Sequence, residues 1–152
     1  MTDDTVKMTT STPWHLWAVG GISLLWNAFG GYDFIMSATQ GETYWRASGM
    51  SQAMIDYYGA MPAWMYVPWV LGVWGAVAGS ILLLMRSRFA LHAFALSLLG
   101  AIGSLLYGTV IDKAPAPPPE MAMMAWMPYV IVVIAAFLAW YAWTMSKKGV
   151  LR

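Results

Sequence analysis

The sequence predicts an all-α, polytopic membrane protein with four transmembrane helices and both termini on one side. Three observations carry this reading. Four apolar stretches, at about residues 14–38, 61–85, 89–111 and 121–145, fill most of the 152 residues. Each exceeds the ~20 residues that an α-helix needs to cross a bilayer. Only 10% of the residues are charged and 60% are apolar, where a soluble domain has roughly 25% charged. Ten Trp and eight Tyr suit a bilayer interface, which favours rings with an apolar body and a polar edge.

Residues 1–13 read as a polar tail, 14–145 as the transmembrane domain and 146–152 as a second tail. The first stretch is about twice as long as a signal-peptide core and lacks a small-residue cleavage site, so it reads as a retained helix. It carries Gly20, Gly21, Gly30 and Gly31, and two strongly polar residues, Asn27 and Asp33. The loop at 39–60 contains Ser51 followed by Gln-Ala-Met-Ile-Asp-Tyr-Tyr. That pattern predicts a capped short helix with Met54, Ile55 and Tyr58 on one side. It reads as an interfacial anchor, with a lid over a site as the functional alternative.

The second helix carries Gly72, Gly75, Ala76, Gly79 and Ser80. Small residues at four-residue spacing let helix backbones approach closely in lipid. The third carries Gly100, Ser104 and Gly108, which share one face of an ideal helix. Between them stands only Arg86-Ser87-Arg88, which predicts a tight antiparallel hairpin. Asp112 to Glu120 includes four prolines and predicts a stiff, extended strap before the fourth helix. Pro68 and Pro128 are expected in the second turns of helices two and four. There each would remove a backbone hydrogen bond and open a kink. Short matches are compatible with a tandem duplication of a helical hairpin: Ser23-Leu-Leu-Trp26 with Ser104-Leu-Leu-Tyr107, and Ala63-Trp-Met65 with Ala125-Trp-Met127. Such copies would be parallel repeats about the membrane normal.

Charge sets the expected orientation. Lys7, Arg86, Arg88, Lys147, Lys148 and Arg152 fall on one side, and Arg46 and Lys113 on the other. The side richer in Lys and Arg is cytoplasmic by the positive-inside rule, so both termini are expected there. In a bacterium this places the chain in the inner membrane.

Composition excludes several functions. A net charge of +1 provides no basic field for nucleic acid. Without Cys there is no thiolate metal site, disulfide or thiol nucleophile. His15 and His92 begin helices at the expected cytoplasmic interface with no paired carboxylate, and read as structural. Met36, Met50, Met54, Met61, Met65, Met121, Met123, Met124 and Met127 fall on the expected outer side. Thioethers can bind Cu(I), but Met without His or Cys beside it better suits packing and adaptable contacts. No catalytic set, metal site or cofactor is expected. Asn27, Asp33 and Arg46 are the candidates for a proton or solute site, because intramembrane polar groups are costly and often functional. Gly72, Gly75, Gly79, Gly100, Ser104 and Gly108 are the candidates for helix packing. Trp64, Met65, Met123, Trp126 and Met127 are the candidates for a partner surface.

Trp14-His-Leu-Trp, Leu25-Trp-Asn-Ala-Phe-Gly-Gly-Tyr-Asp33, Gln52, Tyr57-Tyr58, Pro62-Ala-Trp64 and Leu71-Gly-Val-Trp-Gly75 together carry a resemblance. The chain resembles a family of small four-helix bacterial membrane proteins that bear the label "sugar transporter". The likeness covers helices one to three and the C-terminal Lys147–Arg152. It implies a four-helix inner-membrane fold, and it transfers no binding residues. Two functions are therefore expected from different classes. One is a non-enzymatic accessory or assembly subunit packed against a larger membrane complex. The other is a small-solute transporter acting as an oligomer.

Overall fold

The computed structural model describes residues 10–152, and these are helical with no strand. Lys7 and most of the N-terminal tail lie outside them. Helix α1 spans Trp14–Gln40, α2 Glu42–Ala47, α3 Gln52–Gly59, α4 Tyr66–Leu84, α5 Phe89–Leu106 and α6 Met127–Lys147. Three segments are long and apolar enough to cross a membrane: Ala63–Leu84, Phe89–Ile111 and Pro119–Lys147. Helix α1 is longer than the first two of these segments but less apolar than all three. Its glycines and serines, with Asn27, Tyr32 and Asp33, dilute its hydrocarbon character.

The four long helices run antiparallel in the order α1, α4, α5, α6. The start of α1, the end of α4, the start of α5 and the end of α6 meet in one core of Leu16, Leu83, Ala90, Phe94, Leu138, Tyr141, Ala142, Met145, Val150 and Leu151. Phe94, Leu16 and Leu83 are fully buried. In lipid such residues gain little by leaving hydrocarbon, so close packing holds them. Arg86, Arg88, Lys147, Lys148 and Arg152 flank this core, and we call it the basic end. Asp33, Glu42, Asp56, Asp112 and Glu120 lie toward the other, acidic end.

The closest helix pair is α4–α5. A Cβ on Gly100 would lie 2.4 Å from the Pro68 carbonyl oxygen and from the Gly72 amide nitrogen. Gly75 faces the backbone of Ala93 and Ser97, and Gly79 faces the Phe94 ring. The Ser97 hydroxyl donates across the contact to the Gly72 carbonyl at 2.6 Å. Gly20 and Gly31 open α1 toward Leu84 and Trp74 of α4, whereas Gly21 and Gly30 face open space. Helices α6 and α1 are bridged at the basic end, where His15 hydrogen-bonds the Tyr141 hydroxyl. The two consecutive hairpins, α1 with α4 and α5 with α6, pack to a similar extent, and α4–α5 is closer than either.

Local rules explain the element ends. The side chain of Ser51 accepts from the Met54 amide and caps α3, burying Met54 and Ile55. Helix α2, inside the same loop, was not expected from the sequence. Neither proline falls in the expected second turn. Helices α4 and α6 begin late, after 3-10 turns at Ala63–Met65 and Pro119–Ala125. Pro68 and Pro128 thus sit in the first helical turn, where backbone N–H groups have no intrahelical acceptor to lose. The strap before the 3-10 turn is extended, with Pro118 at φ −61°, ψ 156°.

The C-terminal tail is part of the fold. Gly149, with φ 70°, closes α6: its amide donates to the Ser146 carbonyl and that of Val150 to Met145. This left-handed cap is easy for glycine and turns Val150 and Leu151 into the core. Arg86 closes α4 with the same bond pattern, to Leu83 and, through Ser87, to Leu82, at φ 58°. A left-handed arginine is strained by roughly 1–2 kcal/mol. Its place is fixed by the tail: Arg88 donates to the Arg152 carbonyl at 2.9 Å, and Arg152 donates to that of Arg86 at 2.8 Å.

Candidate functional site

The three polar candidates do not converge. Asn27 is buried between α1 and α4 and donates to the Ser80 hydroxyl at 2.9 Å and the Ala76 carbonyl at 3.3 Å. Ser80 in turn donates to Ala76 at 2.9 Å. The amide thus fastens two helices together. Asp33, six positions on, points elsewhere and accepts from the Tyr44 hydroxyl at 2.8 Å. Arg46 does not reach Asp33, where the sequence allowed it. It pairs with Glu42 and donates to Gln52 at 3.1 Å. The Glu42–Arg46 spacing of four residues on α2 favours that local pair.

Asp33 sits in a ring-rich corner at the acidic end. Tyr32 and Tyr44 meet edge to face, and the Trp45 indole donates to the Ser37 hydroxyl at 3.0 Å. Burial raises the Tyr44 hydroxyl pKa, and the hydrogen bond to Asp33 adds to the rise. Burial also raises that of Tyr58, and the Asp33 charge adds to it. Both phenols therefore stay neutral, and Tyr44 is a standing donor to the carboxylate. Phe34 packs against Trp69, Trp74 and Tyr66 one turn away.

The α2–α3 segment is tied across the acidic end. The Tyr57 hydroxyl donates to the Asp112 carbonyl at 3.0 Å, beyond α5. Gly49 approaches the Met121 sulfur, before α6. Burial pushes the Tyr57 pKa up to about 12, helped by the Asp112 carboxylate. The Tyr107 hydroxyl also reaches that carboxylate at 3.4 Å.

The other candidates divide as follows. Gly72, Gly75, Gly79 and Gly100 lie on the α4–α5 contact. Gly108 does not share their face. A π turn at Tyr107–Ile111 ends the regular spacing, and Gly108 faces the Tyr57 hydroxyl and Ala114. Ser104, half-buried, lies between the two. Trp64, Met123 and Trp126 are 55%, 79% and 71% exposed, and Met127 is exposed as well. Met65 is buried and lies outside that surface. Trp64 leans edge-on against Tyr107, and Trp126 meets Tyr129 at a tilt. Shallow hollows of about 450 Å³ and 260 Å³ lie on α2, at Glu42, Thr43, Arg46 and Ala47, and on the flank of α4, at Tyr66, Val67, Val70 and Leu71. Among the described residues no three His, Asp or Glu side chains gather as a metal site would require.

No family model matches the chain, and neither does any curated protein or any solved structure.

Proposed function

We propose that the chain is a non-enzymatic inner-membrane protein of four crossings, with α1 as the fourth and both termini cytoplasmic, that serves as an accessory or assembly subunit of a larger membrane complex. The observation that carries the reading is the exposure of Trp64, Met123 and Trp126, each toward the acidic end. Apolar aromatic and Met side chains of this kind are enriched at interaction sites. Support also comes from the buried polar side chains. Asn27, Ser80 and Ser97 are engaged between helices, as packing elements are.

The test is purification in mild detergent, with the particle mass and subunit composition measured. The reading expects a stoichiometric complex that dissociates when Trp64, Met123 and Trp126 are changed together to Ser. A single-chain particle with and without these changes would sink it.

The runner-up is a small-solute transporter, favoured by one observation: Asp33 is half-buried in an aromatic corner with a phenol donor. The likeness to the family labelled "sugar transporter" leans the same way. Loss of solute uptake in Asp33→Asn, with folding intact, would favour this reading over the first.

A further inference from the structure

We infer that the basic end holds the phosphate of an anionic phospholipid between the α4–α5 turn and the C-terminal tail. Three arginines from two segments are set side by side by backbone bonds: Arg86 and Arg88 on the turn, Arg152 on the tail. The Arg86 Nε donates to the Val150 carbonyl at 3.3 Å, which fixes the guanidinium plane. Its Nη2 is buried and has no protein acceptor among the described residues. A buried cationic donor without an acceptor is unfavourable, so the arrangement suits an oxygen-rich anion.

The surroundings give the sign of the ligand. Lys147 and Lys148 end α6 beside the same tail. Among the described residues, every Asp and Glu side chain belongs to α1 beyond its midpoint, to the α2–α3 segment or to the strap. Among the described residues, the basic end thus gathers five cationic side chains and no carboxylate side chain. Each repels the others, and the backbone bonds hold them together regardless. Arginine forks match phosphate oxygens in pairs.

Position supplies the source. The cluster caps the apolar segments Ala63–Leu84, Phe89–Ile111 and Pro119–Lys147, so it stands where a bilayer presents its headgroups. Exposed Trp140 and Trp143 flank it, with the Lys147 ammonium over the Trp143 ring. Rings of this kind sit at headgroup depth, and basic pockets between helix ends bind anionic headgroups.

The full chain in a neutral detergent is titrated with phosphatidylglycerol, with phosphatidylcholine and with inorganic phosphate, and bound lipid is counted by native mass spectrometry. Saturable binding of phosphatidylglycerol, at least tenfold tighter than phosphatidylcholine, is expected. Arg88→Gln and Lys148→Gln have exposed side chains and should each weaken it about fivefold. Arg86→Lys, which keeps the charge and loses the fork, should weaken it more. Lys113→Gln, at the acidic end, should leave it unchanged. Equal binding of the two lipids would overturn the inference. So would unaltered binding in folded Arg88→Gln and Lys148→Gln, or an equal loss in Lys113→Gln. Displacement of the lipid by millimolar inorganic phosphate would assign the site to a free anion instead.

Discussion

Replacing Gly100 with Ala adds one methyl group where two helices have no space for it. Its Cβ would stand 2.4 Å from the Pro68 carbonyl oxygen and the Gly72 nitrogen, and 2.9 Å from the Gly72 Cα. Carbon contacts are at rest near 3.5–4.0 Å. All three obstructing atoms are backbone, so no rotamer change relieves them, and α4 and α5 must part by about 1 Å. A gap of that size forfeits roughly a quarter to a half of each affected contact. Overpacking of this kind destabilises by about 1–3 kcal/mol. The upper end applies here, offset by up to ~1 kcal/mol from the better helix propensity of Ala. The net expectation is a loss of about 2 kcal/mol. Gly21→Ala and Gly30→Ala are the controls. Nothing lies within 4 Å of either position, so they should be neutral or stabilising by up to ~1 kcal/mol. The assay is unfolding in mixed micelles by an anionic detergent, followed by circular dichroism. A Gly100→Ala protein as stable as the parent, or less destabilised than Gly30→Ala, would refute the close-approach argument.

Two further outcomes follow from side-chain hydrogen bonds. Asn27→Ala should reduce stability in the same assay by only about 0.6–1.7 kcal/mol, the range for side-chain bonds between helices in lipid; a collapse of the fold would mean that Asn27 does more than join α1 to α4. Tyr57 acts as a donor only while its phenol is protonated. Its pKa is raised from 10.0 to about 12, so the tether to Asp112 is intact below pH 10 and is lost as pH rises through about 12. Tyrosinate absorbance should show a component with that late midpoint, absent in Tyr57→Phe. A difference midpoint at 10 would contradict the partly buried, hydrogen-bonded geometry.

The long helices were legible because bilayer-length apolar runs are a strong signal, and Ser51 announced α3 through its cap. What failed to show were features without a compositional mark. Arg86 in a left-handed cap looks in sequence like one more hairpin charge. The docking of Val150 and Leu151 did have a trace, since glycine followed by two apolar residues after a helix end is the pattern of a C-terminal cap with a hydrophobic contact. The Gly100, Ser104, Gly108 row assumed a regular helix, and the π turn at Tyr107–Ile111 breaks it. The prolines misled because helix starts were placed where the apolar run began. The 3-10 turns that precede α4 and α6 are apolar too. For the candidate site, the residue types were found but their grouping was not. Arg46 sits four residues from Glu42, and that local pair outcompetes the distant Asp33.

The proposed function requires four crossings, and α1 is the least apolar of the four long helices. The natural chain has no cysteine, so single cysteines report on sidedness without a background. Cysteines at Ser11, Ser48, Ser87, Ala116 and Lys148 are labelled in intact cells by a membrane-impermeant maleimide. Labelling at 48 and 116, with protection at 11, 87 and 148 until the membrane is opened, is the predicted result. Positions 11 and 48 labelling alike would show that α1 does not cross, and labelling at 11, 87 and 148 with protection at 48 and 116 would invert the orientation.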